Sequence, residues 1–259
     1  KQCRIPYCDH YININFARNP ISRQNISAYK QLKQLINAEH FSIIHCHTPV
    51  GGVLTRIAAR NARKNGTKVI YTAHGFHFYT GAPLVNWLIY YPIEKHYARF
   101  TDTLITINYE DYCRAKKFAC KDIRLVNGVG IDIEKIQSHI TNRKMIRKEL
   151  KIPNDAFVIL SVGELNKNKN HAVVVNAVKK IHDKKIWYLI CGEGQMRDSL
   201  QVNIDAYEFK DHIKLLGFRN DIIDLYNSSD IFVFPSIREG LSVSLMEAMS
   251  CGKPCIVSD

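Results

Sequence analysis

The stretch "FVILSVGELNKNKNHAVVVNAVKKIHDKKIWYLICGEG", residues 157–194, decides the fold. Its two ends, FVILSVGEL (157–165) and IWYLICGEG (186–194), are apolar without the in–out alternation of a half-exposed strand. Strands that read this way are buried on both faces. The middle, NHAVVVNAVKKIHDK (170–184), has helical spacing. Strand, helix and strand in succession describe parallel strands joined by a crossover helix.

The same rhythm runs through most of the chain. FSIIHCH (41–47), KVIYTAHG (68–75), DTLITIN (102–108) and IRLVNGVG (123–130) are predicted strands of a first half. GGVLTRIAARNARKNG (51–66), PLVNWLIYYPIEKHYARFT (83–101) and YEDYCRAKKFA (109–119) are its predicted helices. After 194 come helix MRDSLQVNIDAYE (196–208), strand IKLLGF (213–218), helix DIIDLYNSSD (221–230), strand IFVFPS (231–236), helix SVSLMEAMSCG (242–252) and strand PCIVS (254–258). The segment 131–156 is charged, carries a Pro and breaks the rhythm, so it reads as a connection. The expected division is an N-terminal Rossmann-like domain at 1–137, a linker at 138–154, and a C-terminal Rossmann-like domain at 155–259.

Composition sets limits. The chain has 259 residues, 46% hydrophobic and 23% charged, an ordinary globular balance. No apolar run reaches the roughly 18 residues that a membrane span needs. The net charge of +12 favours anionic partners such as nucleotide phosphates, nucleic acid or anionic lipid. The one dense basic run, NRKMIRKELK (142–151), reads as a solvated helix face. No nucleic-acid motif or clustered basic face is visible. Eight cysteines without a CxxC pair do not make a disulfide framework at this size, and point to a reducing, cytoplasmic compartment. The chain opens KQCRIPYC, without Met, and both ends are expected to be missing.

In open parallel sheets ligands bind beyond the carboxyl ends of the strands. The distinctive polar segments fall there: HCHTPVGG, HGFHFYTG, GELNKNKN, GEG and REG. In SIREGLSVSLMEAMSCGKP (236–254), Glu239 sits in a turn and Glu247 lies further along the following helix. A helix starting near Ser242 points its unpaired first N–H groups back at the Gly240–Leu241 turn, so Gly240, Leu241, Ser242 and Val243 line a place where the dipole favours an anion such as phosphate. Glu247, leaning toward the helix N-terminus, can accept from paired hydroxyls of a sugar or ribose. Phosphate in the middle and polyols at both ends describe a nucleotide sugar.

REGLSVSLMEAMSCGKP resembles the E-x7-E signature of retaining glycosyltransferases of the GT-B fold, family 4, the group of bacterial capsular and exopolysaccharide transferases. Six further segments resemble the same family in the expected order, among them YTAHGFHFYTG, NGVGID, SVGELNKNKNH, CGEG and LGFRNDI. The resemblance implies two Rossmann-like domains with parallel sheets facing across a cleft. It implies a nucleotide-sugar donor, expected to be a UDP-sugar, and no metal or other cofactor. It also implies a glycan or lipid-linked saccharide acceptor at the cytoplasmic face of the membrane.

Residue by residue, the resemblance gives Glu239 the donor sugar and Glu247 the ribose hydroxyls. Lys169 takes the diphosphate, and His74 the region of the reacting carbon. Gly163, Gly192 and Gly194 form phosphate-side loops. Many members carry Arg where this chain has Glu164, so Lys167 or Lys169 has to meet that charge. The family's first strand and glycine-rich loop would lie upstream of Lys1, and its closing helices beyond Asp259.

Plainer readings stand beside these. Glu239 and Glu247 could be solvated acids at a helix start, GEG a simple turn, and His74 a structural histidine. His45 and His47 are of metal-ligating type, but are taken to point to opposite strand faces, which argues against joint chelation. Trp87, Tyr90 and Tyr91 read as core, or alternatively as facing a lipid-linked acceptor or the membrane interface, in keeping with the peripheral inner-membrane association that the resemblance implies. A UDP-GlcNAc 2-epimerase of the same fold and a non-enzymatic basic binding module are the rival functions; the first lacks the E-x7-E pattern.

Overall fold

The computed structural model describes residues 8–258 except Arg18 and Val129. The chain divides into two compact units, Lys1–Gly128 and Val129–Asp259.

The first unit contains α1 (Gln24–Glu39), β1 (Ile43–His47), α2 (Pro49–Ala58), α3 (Arg60–Lys64), β2 (Lys68–Ala73), α4 (Leu84–Ala98), β3 (Thr103–Thr106), α5 (Tyr109–Ala115) and β4 (Asp122–Leu125). Its strands pair in parallel in the order β1-β2-β3-β4. Tyr71, Ala73, Leu104 and the phenylalanines Phe76 and Phe78 form one core cluster. Trp87, Tyr90 and Tyr91 pack against that cluster; Tyr91 meets Phe78 edge-on at 5.3 Å between ring centroids. These aromatic rings therefore turn inward, as their core reading required.

Under the same sheet lies a buried ion pair. Arg56 on α2 donates to Glu94 on α4 at 2.8 Å, and the Tyr71 hydroxyl donates to the same carboxylate at 3.2 Å. Helix α1 was absent from the sequence reading. Its apolar positions Ala28, Leu32 and Ile36 recur every four residues, so one narrow stripe faces inward.

The second unit contains α6 (Ile133–Gln137), α7 (Arg143–Glu149), β5 (Phe157–Val162), α8 (His171–Ile181), β6 (Ile186–Cys191), α9 (Arg197–Asp205), β7 (Ile213–Gly217), α10 (Ile222–Ser228), β8 (Ile231–Phe234), α11 (Val243–Ser250) and β9 (Cys255–Val257). Its parallel sheet runs β7-β6-β5-β8-β9. Alternate residues feed two separate cores. Val158, Leu160, Trp187, Leu189 and Phe232 face one side, and Ile159, Tyr188, Ile190 and Val233 the other. That is why these strands read as unbroken apolar runs. Chain order reverses between β5 and β8, which is the switch point of a doubly wound sheet.

The structure divides the chain at Gly128 rather than at 137, and the segment 138–154 is not a free linker. Arg147 on α7 is buried and donates to the carbonyls of Ser228, Asn154 and Ala156 at 3.1, 2.9 and 2.9 Å. It also pairs with Asp230 at 2.9 Å, and Arg143 reaches the same carboxylate. The basic run 142–151 is thus only partly solvated. Its inward arginine satisfies carbonyls that would otherwise be buried unpaired, and so fastens the segment to the second sheet.

Candidate active site

The loops after β5 and β8 leave the second sheet side by side at the switch point. Lys169, from the first loop, places its Nζ 2.8 Å from Glu239 Oε1 in the second. The ammonium also lies 4.5 Å from the centroid of Phe234, whose ring face attracts it. Asn168 ties the two loops together: its side-chain amide donates to the Arg238 carbonyl at 2.8 Å and to Glu239 Oε1 at 3.3 Å, and its backbone carbonyl accepts from the Ile237 N–H at 2.8 Å. Asn166 accepts from the Lys169 N–H at 2.9 Å, which closes the turn that aims the lysine. The pair is partly exposed, so a ligand anion can compete with Glu239 for the ammonium.

Three glycines permit this packing. A Cβ on Gly163 would stand 3.2 Å from Cδ and Cε of Lys169, crowding the stem of that side chain. Gly192, at φ +144, would carry its Cβ only 1.9 Å from the Gly163 carbonyl oxygen, so no side chain fits. Gly194 meets the Leu165 carbonyl in the same way, at 2.4 Å. The loops after β5 and β6 therefore touch backbone to backbone.

Helix α11 begins where the Glu239 loop ends. Ser242 caps it, its Oγ accepting from the Leu245 N–H at 3.3 Å. Gly240, Leu241, Ser242 and Val243 thus lead into the helix's positive end. Glu247, half-buried on α11, accepts from the Tyr226 hydroxyl at 3.2 Å, and Tyr226 also donates to the Ser244 carbonyl at 2.9 Å. Burial raises the Glu247 carboxyl above its ordinary value, and the Tyr226 hydrogen bond offsets part of that rise. A carboxylate held this way gains from further hydroxyl donors.

At the base of the Lys169 loop lies His171, the first residue of α8 and 3% exposed. Its ring lies against the Gly163 and Glu164 backbone, which holds the imidazole's proton affinity up in part. Burial, with Lys169 adding to it, pushes this imidazole down to about 4. Of the Lys169 surroundings, the sequence reading missed Asn166, Asn168 and Phe234. It also missed Tyr226, which reaches Glu247 from another helix. Lys167 is exposed on the same loop.

His74 belongs to the first unit and follows β2. Its Nε2 lies 3.0 Å from His47 Nδ1, and the His45 and His47 rings stand 4.3 Å apart. The expectation that His45 and His47 face opposite sides is corrected: residues two apart in a strand share a face. They form a row with His74, yet no group of three or more His, Cys, Asp or Glu suited to a metal ion forms among the described residues. Burial first, then the neighbouring His45 and His74, lowers the His47 imidazole. The loop that carries His74 is anchored by α5, where Asp111 accepts from the Phe76 N–H at 2.9 Å and Glu110 from the Thr80 N–H at 2.8 Å.

This fold and these sequence matches define a class. Residues 142–259 match the family described as Glycosyl transferases group 1, and residues 5–108 the family described as Glycosyl transferase 4-like. The chain belongs to these glycosyltransferases. It is 41% identical over 264 residues to the putative glycosyltransferase EpsD of Bacillus subtilis, covering 100% of this chain and 69% of that protein. It is 33% identical over 270 residues to the UDP-Gal:alpha-D-GlcNAc-diphosphoundecaprenol alpha-1,3-galactosyltransferase of Escherichia coli, covering 98% of this chain and 68% of that one. Among solved structures it resembles Anabaena HepE in complex with UDP-glucose, with a TM-score of 0.75 and 20% identity over 89% of this chain and 62% of that chain. The chain therefore spans less than two thirds of the length of that structure, and the fold class is GT-B. No helix among the described residues is long and apolar enough to cross a membrane.

Proposed function

We propose that the protein transfers a sugar, with retention of configuration, from a UDP-sugar to a lipid-linked saccharide during synthesis of a cell-surface polysaccharide. The observation that carries this reading is the Lys169–Glu239 contact at 2.8 Å between the two switch-point loops, at the mouth of α11. The E. coli relative is named for a UDP-sugar donor and a diphosphoundecaprenol acceptor, and HepE has been solved with UDP-glucose. Both support the choice of substrates.

In this reading Glu247 takes the ribose hydroxyls. The amides at the start of α11 and Lys169 take the diphosphate. Lys169 exchanges Glu239 for phosphate oxygens, and Glu239 then turns to the donor sugar's hydroxyls. Negative charge grows on the diphosphate as the sugar's C1–O bond breaks, and a preset ammonium stabilises that change. The acceptor oxygen bonds to C1 on the same face, and its proton passes to the leaving diphosphate. Two carboxylates flanking the bond about 5 Å apart would instead suit a retaining glycosidase; with Glu247 committed to ribose, one of the pair is missing. His74 is given the reacting carbon in this reading by the family resemblance alone, and the reading calls for no metal. The enzyme works on the cytoplasmic side of the membrane.

The test combines a panel of UDP-sugars with a polyprenyl-diphosphate-linked saccharide and follows UDP release and the product anomer by NMR. Acceptor-dependent UDP release with a retained anomer is expected. Epimerised donor without acceptor would instead favour the epimerase reading, and salt-sensitive binding without any response to UDP would favour a basic binding module.

A further inference from the structure

Tyr226 on α10 is wholly buried, its ring 5.6 Å from that of Phe232 between centroids. Its hydroxyl lies 2.9 Å from the Ser244 carbonyl and 3.2 Å from Glu247 Oε2, both on α11. A phenol carries one hydrogen, whereas a carbonyl and an ionised carboxylate can only accept. The two contacts therefore share that hydrogen whenever Glu247 is ionised. Burial first, and the neighbouring Glu247 charge second, push the phenol far above its ordinary value, so the hydrogen stays in place at any working pH.

The last torsion of a glutamate side chain is soft, so the plane of its carboxylate is free unless something outside the residue fixes it. Among the described residues Oε2 is tied to Tyr226, no partner meets Oε1, and no cation pairs with the group. The tie comes from another helix, 21 residues earlier in the chain, whose Tyr226 packs in one core with β5, β6 and β8. The plane of the carboxylate is thus set against the sheet, and not by α11 alone. Half-buried as it is, the group keeps Oε1 and the remaining lone pairs of Oε2 for incoming donors. Two adjacent hydroxyls supply two such donors, and both can bond at good geometry only when the plane suits them.

We propose that Tyr226 is a positioning residue that makes the Glu247 subsite selective for a vicinal diol: holding Oε2 from α10, it presets the carboxylate plane so that both hydroxyls of a ribose are met together. This role rests on the reading of Glu247 as the ribose contact and deepens it. Tyr226 acts through Glu247 and not on the donor itself. Presetting the plane removes an ordering cost that a freely turning carboxylate would meet on binding. The benefit falls on the paired hydrogen bonds, because a nucleotide that offers one hydroxyl can be met by a carboxylate oxygen whatever the plane.

The test is calorimetric titration of the chain with UDP, 2′-deoxy-UDP and 3′-deoxy-UDP, in wild type, Tyr226→Phe and Glu247→Ala. Phe keeps the ring in its core place, and thermal melts check that the variant folds. Wild type should bind UDP about tenfold or more tighter than either deoxy nucleotide. Tyr226→Phe should weaken UDP about fivefold to tenfold and leave both deoxy nucleotides within about twofold of wild type, so that the preference narrows. A tyrosine that merely supports the fold would weaken all three alike, and an unchanged ratio in a folded variant overturns the proposal. A wild type that binds all three nucleotides equally overturns it without any variant. An NMR titration of the Glu247 carboxyl carbon, assigned with Glu247→Gln, gives a second readout that needs no nucleotide. Loss of the Tyr226 hydrogen bond should move that titration further up, and an unmoved titration counts against the proposal in the same way. A wild type that ignores UDP overturns the ribose reading and takes the proposal with it. A preference that Glu247→Ala abolishes and Tyr226→Phe leaves intact overturns the proposal alone.

Discussion

Replacing His171 with Leu removes a titratable ring from beneath the Lys169 loop, and the consequence can be worked out from its setting. The ring is 3% exposed and its imidazole is pushed from 6.5 down to about 4, first by burial and then by Lys169. In the unfolded chain the same ring titrates at its ordinary value. As pH falls below 6.5 the unfolded state gains a proton that the folded state refuses until about 4. The group therefore favours folding above 6.5, and that advantage is lost progressively toward 4. Between pH 7 and pH 5 the loss is about 2 kcal/mol. The Gly163 and Glu164 backbone pulls the imidazole part of the way back up, and His171→Leu gives up that interaction. At pH 7 it should cost about 1–3 kcal/mol. Urea unfolding of both proteins at the two pH values is the assay. Every other titrating group is shared, so the difference isolates this ring. Wild type should lose about 2 kcal/mol more than the variant on acidification. Equal losses would refute the reasoning.

Arg147→Met should destabilise the second unit by about 3–5 kcal/mol in urea unfolding, because three carbonyls lose their donor and Asp230 loses one of its two arginines. Glu94→Ala should cost a similar amount in the first unit, since it leaves the wholly buried Arg56 uncompensated. Glu247→Gln should act oppositely on stability and binding. Burial raises the Glu247 carboxyl, so the folded state holds this proton more tightly, and the group's contribution falls as pH rises from 4.5 through its raised value. At neutral pH the Gln variant should melt no lower than wild type, while its response to UDP disappears; thermal melts with and without UDP check both halves.

The strands were legible because both faces of each sheet are covered, which leaves a run such as Val158–Val162 almost wholly apolar. The Lys169 and Glu239 loops were legible because Gly, Lys and Glu stand where strands end. Other features depend on contacts that local pattern does not carry. In NRKMIRKELK nothing distinguishes Arg147, which turns inward to carbonyls far along the chain, from neighbours that stay in water. Tyr226 reaches Glu247 only because α10 and α11 belong to one fold, 21 residues apart in sequence. Helix α1 buries so narrow a stripe that its polar majority hides it. The pairing of His45 with His47, by contrast, was available from strand geometry alone and was misjudged.

The most direct test of the proposed donor site is a calorimetric and thermal-shift titration of the chain with UDP, alongside GDP and ADP, repeated with Lys169→Ala and Glu247→Ala. UDP at 100 times its dissociation constant should stabilise the chain by about 2.7 kcal/mol. That gain should vanish in Glu247→Ala and shrink sharply in Lys169→Ala. A chain that melts cooperatively yet ignores all three nucleotides would contradict the account, as would a UDP response that survives both substitutions.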